Sequence, residues 1–166
     1  MMLNARHHQL ALILAVVLAE AAHLSWEHVH GGIRAHHLLN NADWPAVSNA
    51  WGLLLLPLLT WFAVADSQRR GLPWRVAFAG AAGAAVAGLT VVALFLTHQH
   101  DMAGYLLLAI VVVGCVVPLY RPQYLLGFVL AMTWTFGAVL PTLVALCVAA
   151  ISAVASAFVR LLRTHR

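Results

Sequence analysis

No Asp, Glu, Lys or Arg occurs between Asp43 and Asp66, between Arg75 and Asp101, between Asp101 and Arg121, or between Arg121 and Arg160. A soluble domain hydrates its surface with charge, at roughly a quarter of its residues. Here charged residues make up 8% of 166, hydrophobic ones 63%, and the mean hydropathy is +0.90. Hydrocarbon is the solvent that fits such runs, so the chain reads as an all-α, polytopic transmembrane helix bundle. Its length suits one integral-membrane domain over residues 1–166.

Apolar runs of about 17–25 residues mark candidate spans at 9–30, 46–65, 74–97, 102–120, 123–140 and 142–160. Arg6 precedes the first run and no small-residue cleavage site follows, which predicts a retained span rather than a signal peptide. Gly31-Gly32 is expected to stop the first helix, Pro45 and Pro73 to occupy first-turn positions, and Arg121-Pro122 to part the fourth and fifth spans. Pro141 marks the turn between the last two. With six spans and a cytoplasmic N-terminus, every arginine except Arg34 falls on the inside, eight of nine; five spans would split them five to four. The expectation is therefore six spans with both termini cytoplasmic, in a bacterial-type inner membrane. Trp26 and Trp44 then lie near the outer interface, and Trp74, Tyr120 and Tyr124 near the inner one. Gly80, Ala84 and Gly88 form a small-residue stripe that favours close helix packing, within the chain or in a homo-oligomer.

Composition also excludes. All nine cations are arginines scattered in ones and twos, which argues against nucleic acid despite a pI of about 9.8. Cys115 and Cys147 sit in apolar runs without CxxC spacing, so neither a disulfide framework nor a thiolate zinc site is indicated.

The ten histidines are the anomaly. Glu20, His23, Glu27 and His30 fall within an arc of about 80° on one helix, as two E-x-x-H pairs. At that spacing a carboxylate and an imidazole can reach one ion, as in carboxylate-bridged bundles. An ionised carboxylate well inside a span costs a few kcal/mol unless it finds a partner or a cavity. A bound metal, a proton shared between Glu20 and His23, or a neighbouring helix would each answer that cost. Residues 33–39 read as a short interfacial helix carrying His36 and His37, and His98, His100 and Asp101 follow the third span on the same outer side. Ser48 and Asn49 read as helix caps, and His7, His8 and His165 as ordinary interfacial residues.

These residues set the functional expectation. His23, His28, His30, His36, His37, His98, His100 and Asp101 are the candidate metal ligands, and Glu20 and Glu27 the candidate general bases. Nitrogen and oxygen donors without thiolate suit Zn first, with Fe, Mn or Cu(II) as alternatives. The expected partners are the lipid bilayer and a lipid-like or small apolar substrate, turned over by a hydrolase or an oxidase/hydroxylase. A metal-ion carrier or permease, a subunit holding haem or another pigment, and a pH sensor are the other classes such a cluster serves.

Overall fold

The computed structural model describes residues 2–37, 43 and 45–164, with the side chains of 2–6 and 8 outside that description. Trp44, His165, Arg166 and the side chains of Arg6 and His8 therefore lie outside the described residues. The long apolar runs form six helices: α1 (Met2–Val29), α2 (Gly52–Arg69), α3 (Trp74–Leu96), α4 (His100–Val116), α5 (Pro122–Phe136) and α6 (Val139–Thr164). Among the described residues four segments are long and apolar enough to cross a membrane: Gln9–Val29, Asn49–Arg69, Trp74–Leu96 and Val139–Thr164. The chain is thus all-α in class and reads as an integral membrane protein. Helix α4 is a shorter apolar helix of 17 residues and α5 has 15; at ~1.5 Å per residue α5 rises ~22 Å, less than the ~30 Å hydrocarbon core.

Glycine sets how closely the helices approach. A Cβ on Gly127 of α5 would collide with the Ala81 carbonyl of α3, and one on Gly88 would lie 3.0 Å from both Ala131 Cβ and the Phe128 carbonyl. In lipid such backbone-to-backbone packing replaces the hydrophobic drive that water would supply. The Gly80/Ala84/Gly88 stripe is used within the chain: Gly80 faces Tyr124 and Gly88 faces Phe128. Val91, Val92, Phe128, Val129 and Met132 fill the α3–α5 seam, and Leu56 joins it from α2.

The breaks follow backbone chemistry. Gly31 (φ 121°) and Gly32 (φ 104°) end α1 as expected, in the region that side chains disfavour. Pro73 stands directly before α3 and Pro122 opens α5. Three expectations change. Residues 33–37 form no interfacial helix, and 38–39 lie outside the described residues; instead β1 (Ala35–His37) pairs antiparallel with β2 (Ala46–Ser48), with His36 opposite Val47. A helix that short cannot offset its nucleation cost, whereas the paired strands, together with the bond from Asn49 N to the Arg34 carbonyl (2.9 Å), satisfy the backbone. Pro45 accordingly leads into a strand rather than a helix. The α5–α6 turn falls at Gly137 (φ 70°), and Pro141 sits inside the first turn of α6, where its missing N–H loses no bond.

The α3–α5 seam makes a measurable demand on glycine. Gly127→Ala should destabilise the detergent-solubilised protein by about 1–3 kcal/mol, the usual cost of overpacking. Gly83→Ala, where a Cβ meets nothing within 4 Å, should leave thermal unfolding unchanged or slightly raised. Equal behaviour of the two variants would show that the seam does not depend on backbone contact.

Candidate acid–base site at the end of the first helix

Glu20, His23 and Glu27 are spaced three and four residues apart on α1, so they share one face, and that face turns inward. Their exposures are 3%, 5% and 2%. Glu20 lies nine residues before the end of α1, ~14 Å along its axis. Lipid at that depth offers no solvation, so the protein must supply it.

His23 is held between the two carboxylates. Its Nδ1 lies 3.3 Å from Glu20 Oε2, and its Nε2 lies 3.6 Å from Glu27 Oε1. The first distance is a long hydrogen bond; the second is just beyond one. Trp134 of α5 covers the ring, stacked at 4.5 Å between centroids, and Trp26 packs beside Trp134 at 5.3 Å.

Each carboxylate has its own support. Glu27 accepts from Asn49 Nδ2 at 2.7 Å and from the Arg34 backbone N–H at 3.1 Å. Both donors come from the hairpin that folds back over the helix end, so the turn at Gly31-Gly32 delivers them. Glu20 Oε1 instead packs against Gly52, where any Cβ would collide with it. Gly52 is the first residue of α2, so this oxygen meets the positive end of a helix dipole. Glu20 Oε1 and His23 Nε2 are nevertheless buried without a hydrogen-bond partner. Such atoms cost about 1–3 kcal/mol each when left unpaired, and in native sites they mark a catalytic role or an ion or water that binds there. Chemically, the row Glu20–His23–Glu27 can take a proton on either side of the imidazole.

The other candidates sit elsewhere. His28 is exposed on α1. His30 leaves the stripe because α1 ends at Val29; it stacks on Trp26 at 4.5 Å, with Nδ1 2.8 Å from the Trp26 carbonyl oxygen. His36 is half-buried in β1, and His37 is exposed, as neighbours in a strand point to opposite faces. A Cβ on Gly137 would stand 3.5 Å from His36 Cδ2 and would collide with Asn49 Oδ1, so glycine there leaves room for both side chains. His98, His100 and Asp101 are exposed at the α3–α4 corner. This corner shares the bundle end with the buried cluster: His100 packs on Phe95 (5.1 Å), and Phe95 on Phe136 (4.8 Å), close in α5 to Trp134. The rings of His98 and His100 meet edge-on at the surface, 6.0 Å apart. Among the described residues no three His, Cys, Asp or Glu side chains are grouped to hold one metal ion.

Reasoning from sequence took Asn49 for a cap, but Ser48 is the cap, accepting from Ala50 N at 3.2 Å, and Asn49 serves Glu27. Trp134, Gly52, Gly137 and the Arg34 peptide were also missed. The signal lay in S-N-A-W-G, a polar amide beside a glycine at the mouth of an apolar run. Comparison with known proteins found no matching family model, no matching curated protein and no matching solved structure.

The two neighbours Ser48 and Asn49 should separate on substitution. Asn49→Ala removes a bond to a buried carboxylate and should cost about 1.5–3 kcal/mol in thermal unfolding. Ser48→Ala removes a cap and should cost about 1 kcal/mol or less. The reverse order would return Asn49 to a capping role.

Proposed function

We propose that this chain is an integral membrane protein with an acid–base centre in which His23 passes a proton between Glu20 and Glu27. It acts on a lipid-like or small apolar substrate at the end of the bundle where α1 finishes. The observation that carries this reading is the imidazole seated between two buried carboxylates, with Nε2 and Glu20 Oε1 unpartnered. A general base needs a proton acceptor within reach and a partner that orients it; Glu20 orients the ring through Nδ1, and Nε2 is left to act. Arginine placement favours six spans, with this end on the outer face of a bacterial-type inner membrane.

The chemistry is one-sided. The buried hydroxyls of Thr60, Ser67, Thr133 and Thr142 donate to carbonyls four residues back on their own helices, at 2.6–2.8 Å. These protons are committed, which argues against a relay across the bundle and hence against a carrier.

A metal reading is favoured by one specific observation, the unpartnered His23 Nε2 facing Glu27 Oε1. A single Zn there would take these two donors, with Glu20 as the outer carboxylate that orients the imidazole, and with Fe, Mn or Cu(II) as alternatives. Such an ion needs further donors from water or substrate, because no three-residue group surrounds it among the described residues. The proton reading needs none, and it is the one we adopt.

Two measurements test it. Trp134 stacks on His23, so protonation of the imidazole should change tryptophan fluorescence with pH. In a His30→Phe background, which removes the ring on Trp26, that response should persist; adding His23→Phe should abolish it. A response that survives without His23 would defeat the proposal. Elemental analysis of the purified protein should find well below one transition-metal ion per chain; a full equivalent lost in His23→Ala would establish the metal reading instead.

A further inference from the structure

The opposite end of the bundle combines an apolar cavity with a collar of arginines. The bond from Arg70 Nη2 to Gln123 Oε1 (2.9 Å) ties the end of α2 to the start of α5 there. Just inside, α3, α4, α5 and α6 line a half-open cavity of about 370 Å³. Ala79, Gly83 and Ala87 line it from α3 and Leu107 and Ile110 from α4, and only Tyr124 brings a polar tip. An apolar cavity of about 150 Å³ already stays dry and accepts a hydrocarbon; one this size and this apolar takes hydrocarbon, not water.

Hydrocarbon in a bilayer gains little by moving from one apolar place to another. It does restore the dispersion contacts that an empty cavity forfeits. Selectivity must then come from the headgroup, and the charge at this end is one-signed. Arg69 and Arg75 are exposed and Arg121 is half-buried, whereas the single acid, Asp66, is already paired with Arg70 at 2.5 Å. Arg121 precedes the cavity-lining Tyr124 by one turn, and Arg75 lies one turn and a half before Gly80, which packs on Tyr124. We propose that this cavity holds an acyl chain of an anionic phospholipid whose headgroup sits between Arg75 and Arg121. The arginine collar lies the length of α2, ~27 Å, from the acid–base cluster, and no residue of that cluster lines the cavity, so the two readings fail independently.

Native mass spectrometry of the detergent-purified full chain, with phosphatidylglycerol or phosphatidylcholine of matched chains, tests this. One phosphatidylglycerol should be retained per protein in preference to phosphatidylcholine. Arg75→Gln and Arg121→Gln should each reduce that preference about fivefold, the share of one interfacial arginine. Gly83→Leu, which grows into open space, should fill the cavity and abolish retention with an unchanged elution profile; Ala87→Leu carries the same expectation should Gly83→Leu not fold. Gly104→Leu, at another open glycine, should still retain the lipid. Equal binding of the two lipids, or retention in both cavity-filling variants, overturns the proposal. So does displacement of the lipid by inorganic phosphate at equal concentration, which would assign the arginines to a free anion.

Discussion

A carboxylate buried at the end of a membrane-embedded helix has to be met by donors, and around Glu27 the chain brings them from two separate places. The Asn49 amide and the Arg34 peptide N–H both arrive on the hairpin, after the chain has reversed through two glycines at positive φ. The dependence runs both ways. Glu27 gives the hairpin a fixed anchor in an otherwise apolar bundle, and the hairpin pays Glu27's desolvation cost. Without that exchange the strand pair loses its anchor in the bundle, and the carboxylate facing His23 Nε2 at 3.6 Å loses its support.

The two carboxylates flanking His23 are solvated unequally. Glu27 receives two strong donors, one on each oxygen, while Glu20 receives only the long contact from His23 Nδ1 and the dipole end of α2. Symmetric partners would share a proton without direction. Unequal ones give the imidazole a firmly held side and a loosely held side, which an acid–base centre requires. Trp134 adds an aromatic face that stacks on the imidazole. The proximity of Gly52 lets the Glu20 carboxylate reach the backbone of α2 at all.

What was legible in the sequence was what periodicity controls. The uncharged runs gave helices near their expected positions, and the three-four spacing of Glu20, His23 and Glu27 put them on one buried face. His30 shared the calculated arc but not the burial, because the arc assumes the helix continues, and it stops at Val29. The histidines after Gly32 were illegible for a different reason. Their setting depends on pairing between Ala35–His37 and Ala46–Ser48, which no local pattern in either segment announces. Asn49 was assigned by its local habit as a cap, whereas its partner stands 22 positions away. Trp134 carried no local signal, yet it stacks on His23. Contacts across the chain, rather than propensity along it, decided each of these.

The histidines outside the buried centre are sorted by the hairpin. Asn49, which holds Glu27, flanks Gly137 together with His36. His37, its neighbour, faces away on the other side of the strand. Strand geometry thereby divides an adjacent pair that a helix would have left about 100° apart, and it turns His36 toward Gly137. At the α3–α4 corner the rings of His98 and His100 meet each other, and His100 packs on Phe95. The described histidines at this end thus divide into one buried between two carboxylates, one half-buried in β1, and others exposed at the surface.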